Sequence, residues 1–234
     1  MTDAHCHVSC GDAAVREFLV GRDFFGVHPW DAADCAARSV AAELRAALEA
    51  NPAAGVGEIG LDRLRERAIS SAMRDVFEAQ LALAVELRRP VVLHGAKCWG
   101  QVVEAVKRAL ANDGMSGRPG PQPSFLFHGF SRSDGLIPDI VALNGYISVG
   151  PSILNDHAVN YRALARKIPP DRLLVETDRT EANAAECPSV RDVLAKLAEV
   201  RGEDVAELAS RTDANADRFL GKAGGRWKGE RVGE

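Results

Sequence analysis

Short apolar runs alternate with amphipathic stretches along almost the whole chain. The apolar runs predict strands near 3–8 (DAHCHV), 23–29 (DFFGVHP), 54–61 (AGVGEIGL), 90–95 (PVVLHG), 124–130 (SFLFHGF), 145–150 (GYISVG) and 172–178 (RLLVETD). Between them, helical spacing predicts helices near 12–20, 36–50, 67–88, 99–111, 133–143, 156–167 and 189–201, with a last helix near 203–220. Segment 67–88 shows the pattern best. Ala68, Ala72, Phe77, Leu81, Ala84, Val85 and Leu87 make a mostly apolar face, with Arg and Glu opposite. Regular alternation of strand and helix implies parallel pairing, because each return needs a crossover. The strands are short and nearly all apolar, as strands covered on both faces must be.

Such a chain closes into a barrel or lies open as a doubly wound sheet. Neither GxGxxG nor a Walker pattern occurs, so the open nucleotide-binding sheets lose their usual signal. The Gly- and Pro-rich stretch 112–123 (NDGMSGRPGPQP) reads as an exposed connection. From Gly221 the chain (GKAGGRWKGERVGE) has no periodicity. The expected organisation is one α/β domain over 1–221 and a flexible tail over 222–234.

Composition narrows the setting. The 234 residues are enough for one barrel-sized domain, and 46% apolar with 26% charged residues is ordinary for a soluble protein. No apolar run reaches the roughly 18 residues of a spanning helix, and no secretory apolar segment opens the chain. A net charge of −4 offers nucleic acid no broad attraction, so a polyanion would need local cations or bound metal. Five scattered cysteines without a CxxC pair point to reduced thiols in a cytoplasm.

Metal-capable side chains recur where the predicted strands end. His5 and His7 stand two apart on the first strand and share a face, with Cys6 turned away. Glu58, His94, His128 and Asp178 lie at or near the ends of four later strands. In a parallel barrel these ends gather on one rim, where active sites are found. Any one of the six has an ordinary alternative as a hydrogen-bonded structural residue or a helix cap. Six on one rim are hard to explain as separate accidents. Four imidazoles and two carboxylates can hold two divalent ions with one carboxylate bridging, and they suit zinc, manganese, nickel or cobalt better than calcium.

These segments, taken in order, resemble the TatD family of metal-dependent deoxyribonucleases in the amidohydrolase superfamily. DAHCH (3–7) resembles the family's D-x-H-x-H opening. GVHPW (26–30), GEIGLD (57–62), PVVLH (90–94), FLFHGFS (125–131), YISVG (146–150), LLVETD (173–178) and DANADRFLG (213–221) follow in the family's order. The resemblance implies a TIM-barrel-like fold and two divalent ions, zinc, manganese or magnesium. It implies that His5, His7 and Asp178 hold the first ion, that His94 and His128 hold the second, and that Glu58 bridges both. Asp178 and Glu58 are then the catalytic carboxylates, and the reaction is phosphodiester hydrolysis in DNA. A small phosphoester, amide or lactone is the alternative substrate. A non-catalytic metal-binding relative is the alternative outside enzymes.

The chain departs from the family pattern in three places. Only residues 8–25 separate the HxH strand from GVHP, where the family has a helix, a strand and a second helix. A βαβ unit needs more than that, so seven core strands are expected. The family's Arg two residues after the fourth-strand His is Ala96 here, with Lys97 beside it, and its Pro two residues after the final Asp is Thr180, preceded by Arg179. His28, Lys97 and Arg179 are the expected substrate contacts, with Arg63 and Arg132 also following strand ends. Asp62 is read as orienting a backbone group or a ligand. Trp30 and Trp99 can stack on a base or pack under loops. Cys6 and Cys10 lack the second ligand pair of a zinc finger, and His157 is expected at the surface.

Overall fold

Parallel strands in sequence order make the frame of the computed structural model, which describes residues 1–65, 67–114 and 121–221. β1 (Thr2–Cys6) pairs with β2 (Arg16–Leu19). β3 (Phe24–Phe25), β4 (Gly55–Asp62), β5 (Val91–Ala96), β6 (Phe125–Phe127), β7 (Gly145–Val149) and β8 (Leu173–Val175) pair successively, all in parallel. Two seams join these groups into a ring. On one side Val20 bridges Phe24. On the other, the Asp178 N–H donates to the His5 carbonyl at 3.0 Å, and the His7 and Val8 N–H groups donate to the Arg179 carbonyl at 2.8 and 3.1 Å. The result is a TIM-barrel-like α/β fold.

The helices are α1 (Ala37–Ala50), α2 (Ser71–Glu86), α3 (Trp99–Gly114), α4 (Ile137–Ala142), α5 (Val159–Lys167), α6 (Val190–Arg201) and α7 (Val205–Phe219). Their starts follow local chemistry. The Ser70 hydroxyl accepts from the Met73 N–H at the head of α2, and Ser189 and Asp192 form a reciprocal capping box on α6. None of the described helices is long and apolar enough to cross a membrane.

The expectation of seven strands is corrected. The segment 12–20, read as a helix, contains β2 instead, so the described residues hold eight strands. Phe18 of β2 is buried against Phe24 and Phe219, with ring centroids 6.1 and 6.3 Å away. The apolar run VREFLV is too short for its period to separate helix from strand, and burial on the ring decides it. Residues 8–25 hold this strand and the next, β3, without a helix between them. The crossover from β1 to β2 is the loop 7–15. Smaller differences follow the same logic: β3 and β6 are shorter than expected, and α3 absorbs 112–114 of the expected loop. Residues 115–120 of that loop and the expected tail 222–234 lie outside the described residues.

Two apolar layers hold the fold. Most buried residues lie between strands and helices. A second cluster, Ala4, Phe18, Phe24, Val92, Leu126, Tyr146 and Leu174 with Phe219 of α7, takes one residue from each of seven strands and fills the ring. Phe219 stacks on Phe24 at 6.0 Å and 15°. Side chains two residues further along a strand share its face. His94 therefore follows Val92, His128 follows Leu126, Ser148 follows Tyr146 and Glu176 follows Leu174. The polar residues of the rim stand directly beyond this apolar filling.

Candidate metal centre

Glu58 of β4 is the hub. Its side chain is 3% exposed, and its two oxygens face different histidines. Oε2 lies 3.2 Å from His5 Nε2 and 3.2 Å from His7 Nε2. Oε1 lies 2.6 Å from His94 Nδ1, 2.6 Å from His128 Nε2 and 3.5 Å from His28 Nε2. Asp178 Oδ1 completes the first group at 3.6 Å from both His5 and His7 Nε2. All six residues expected as ligands therefore converge, in two groups divided across one carboxylate.

Several elements aim these side chains. β1 ends at Cys6, whose thiol turns away and donates to the Phe18 carbonyl. Asp3 ties β1 to the end of β8: its carboxylate accepts from the Thr177 N–H at 3.0 Å and the Thr177 hydroxyl at 2.6 Å. Burial pushes the Asp3 carboxyl up to about 7, against those hydrogen bonds. Asp178 has a φ of 50°, a left-handed conformation that Asp tolerates and that turns the chain off the strand. Gly60 lets β4 and β5 approach, because a Cβ there would lie 2.0 Å from the His94 carbonyl oxygen.

The sequence passed over two carboxylates around this hub or read them only loosely. Asp62 Oδ2 lies 2.9 Å from His94 Nε2. Burial opposes the Asp62 charge, but the Arg65 N–H, His94 and the Trp30 indole together hold its carboxyl below the usual range. Glu176 was not singled out at all. It is buried beside His128, with Oε1 3.8 Å from Nδ1, and it accepts from the Ser148 hydroxyl at 2.6 Å and the Gly129 N–H at 2.7 Å. The signal that could have found it is the two-residue period from Leu174 to Glu176 on the inward face.

The donor set fits divalent metal. Ligands about 2.0–2.2 Å from a tetrahedral ion lie roughly 3.3 Å apart. The four separations around His5 and His7 fall between 3.2 and 3.6 Å and His94 Nδ1 stands 3.3 Å from His128 Nε2, while these last two sit at hydrogen-bond distance, 2.6 Å, from Glu58 Oε1. Among the described residues, the buried His5 Nε2 has no partner in hydrogen-bonding geometry, although Glu58 Oε2 stands 3.2 Å away. Burial disfavours charge on both Glu58 and His128. Even so, their mutual attraction and the neighbouring hydrogen bonds hold Glu58 well below and His128 well above their ordinary values. A cluster that stabilises an ionised carboxylate and a cation side by side is one where a metal ion can replace the proton.

The remaining expected residues divide. His28 Nδ1 accepts from the Trp30 N–H at 3.2 Å, which leaves Nε2 facing Glu58. Lys97 is exposed on the turn after β5, with a φ of 56°. Arg179 does not direct its described bonds to the cluster. Its guanidinium donates to the Ala184 carbonyl at 2.5 Å and the Cys187 carbonyl at 3.5 Å, stapling the loop after β8. Trp99 is buried against Phe127 and Phe130. A cleft of about 970 Å³ opens from Glu176 and Asp178, with Arg132, His157 and Lys167 along its walls.

The family described as TatD related DNase matches residues 13–221. A 3'-5' ssDNA/RNA exonuclease TatD from Cronobacter sakazakii is 32% identical over 207 residues, covering 83% of this chain and 75% of the relative. An uncharacterized metal-dependent hydrolase, YabD, from Bacillus subtilis is 29% identical over 204 residues, with the same coverage of 83% and 75%. The crystal structure of YjjV, a TatD homologue from Escherichia coli K12, superimposes with a TM-score of 0.70 at 25% identity, over 89% of this chain and 78% of that one. With its barrel, its divided carboxylate hub and these relatives, the chain belongs to the family of TatD-related DNases, a family of hydrolases.

Proposed function

We propose that this chain hydrolyses phosphodiester bonds in DNA, using two divalent ions held by the histidine–carboxylate cluster. The observation that carries this reading is Glu58, whose Oε2 faces His5 and His7 while Oε1 faces His94 and His128. His5, His7 and Asp178 would hold one ion and His94 and His128 the other, with Glu58 shared. Imidazole-rich donors favour zinc or manganese over magnesium. Bound there, the ions would lower the pKa of a water and neutralise the phosphate oxygens.

The chain's own groups supply the rest. Asp178, its side chain 49% exposed at the edge of the cleft, can reach a water and accept its proton. Glu58 keeps the two groups of histidines at one spacing. Asp62 holds His94 in position through Nε2, and the Glu176 carboxylate stands 3.8 Å from His128 Nδ1. The cleft beyond Asp178 encloses about 970 Å³, and Arg132 and His157 in its lining offer positive or polar groups to an anionic chain. The C. sakazakii relative is named for single-stranded DNA and RNA, which supports a nucleic-acid phosphodiester over a small phosphoester. Five cysteines without a disulfide support a reducing compartment, the cytoplasm.

The test is turnover of a single-stranded oligonucleotide with zinc, manganese and magnesium in turn, beside small phosphoesters, amides and lactones. Metal-dependent cleavage of the oligonucleotide supports the reading. Turnover confined to a small molecule, or bound metal without any turnover, overturns it.

A further inference from the structure

Trp30 is an exposed indole that the structure pins beside the metal centre. It keeps 51% of its surface open, while Trp99 keeps 5%. A large apolar side chain left at a surface is usually mobile, but this one is held at several points. Its Nε1–H donates to Asp62 Oδ2 at 2.9 Å, and its backbone N–H donates to His28 Nδ1 at 3.2 Å. The His28 ring meets it edge-to-face at 4.7 Å. The Asp62 oxygen that receives the indole N–H is the one 2.9 Å from His94 Nε2. The ring thus stands two polar contacts from a candidate ligand, with its order already imposed before anything binds.

Its neighbourhood matches a nucleotide. The Arg65 guanidinium lies over the ring, 5.2 Å from the centroid, and has no carboxylate partner among the described residues. An exposed indole with a cation against it offers stacking surface to a base and a charge to its phosphate. In a chain of net charge −4, such a local cation counts.

We propose that Trp30 is a stacking platform for the base of the nucleotide adjoining the cleaved phosphate, with Arg65 beside it for that nucleotide's charge. The inference rests on the phosphodiesterase reading and deepens it. A base that stacks on an indole must be out of a duplex, so the platform selects unpaired strands. It is indifferent to which base arrives, because every base has a π-face.

The test separates stacking from packing. Trp30→Phe and Trp30→Leu both lose the indole hydrogen bond to Asp62, and only the first keeps an aromatic face. Binding is measured by fluorescence anisotropy to the protein as purified, with a phosphorothioate thymidine oligonucleotide and with an abasic oligonucleotide of the same length. The expected result is that Trp30→Leu weakens thymidine-strand binding by at least about tenfold and leaves the abasic strand unchanged. Trp30→Phe stays within about threefold of the parent protein. Binding by the parent should also quench tryptophan emission, and that quench should vanish in Trp30→Phe. Unchanged thymidine-strand binding by Trp30→Leu, or equal losses on both strands, overturns the platform while leaving the phosphodiesterase reading intact. If the parent protein neither binds nor cleaves either strand, the phosphodiesterase reading itself falls, and the platform falls with it.

Discussion

His94 Nε2 lies 2.9 Å from Asp62 Oδ2, while His94 Nδ1 lies 2.6 Å from Glu58 Oε1. An ionised Asp62 places the ring proton on Nε2, so Nδ1 presents its lone pair to the cluster. Asp62 thereby chooses which nitrogen serves as ligand. Its Oδ1 separately accepts the Leu64 and Arg65 N–H groups, at 2.5 and 3.0 Å. Asp62→Asn can keep those turn contacts while turning an amide toward His94. It is expected to weaken metal binding at the His94–His128 position by roughly 10- to 100-fold. Chelator competition on the folded variant measures this, and unchanged affinity would remove Asp62 from that role.

Asp178 and Glu58 are expected to separate experimentally. Asp178 touches one group of histidines and is half exposed, whereas Glu58 is buried and touches both. Asp178→Asn keeps its shape and one oxygen but loses most of its proton affinity. It is expected to retain most bound metal and to lose hydrolysis by about 10²-fold or more. Elemental analysis run beside turnover decides. Complete loss of metal would make Asp178 a ligand only.

The two histidine groups should empty separately. The double variant His5→Ala with His7→Ala is expected to lose one ion preferentially, and His94→Ala with His128→Ala the other. Glu58→Gln should lower occupancy at both positions. Full occupancy with all four histidines replaced would sink the assignment.

Metal should also stabilise the native state, because the ligands meet only when the barrel is closed. Chelation is expected to lower the midpoint of thermal unfolding in the parent protein. Glu58→Gln should show a smaller drop, since it has less metal to lose. Equal midpoints with and without chelator in the parent protein would contradict this.

The close approach of β4 and β5 makes a structural prediction. Gly60→Ala would place a methyl group 2.0 Å from the His94 carbonyl oxygen, which is backbone and cannot swing aside. The variant is expected to lose stability by about 1–3 kcal/mol or more and to displace His94. Chemical denaturation measures the first effect and metal affinity the second. A variant as stable as the parent would mean that the strands can part without cost.

Local pattern determined a good deal of this protein. The rhythm of apolar runs and amphipathic stretches set a parallel α/β fold, because side chains repeat every two residues in a strand and every 3.6 in a helix. His5 with His7, and the polar residues ending the strands of Glu58, His94 and His128, were legible for the same reason. A parallel ring brings strand ends to one rim. Tertiary structure alone decided the rest. VREFLV became β2 because Phe18 found Phe24 and Phe219, neither of which its own spacing can report. Glu176 was hidden behind the neighbouring Asp178 until the ring showed it buried beside His128. Arg179 carries a side chain equally suited to a substrate or to a neighbour, and Asp62, read as orienting a backbone group or a ligand, left its partner open. Loop carbonyls claimed the first and His94 the second, because a hydrogen bond forms with whatever partner folding brings within reach.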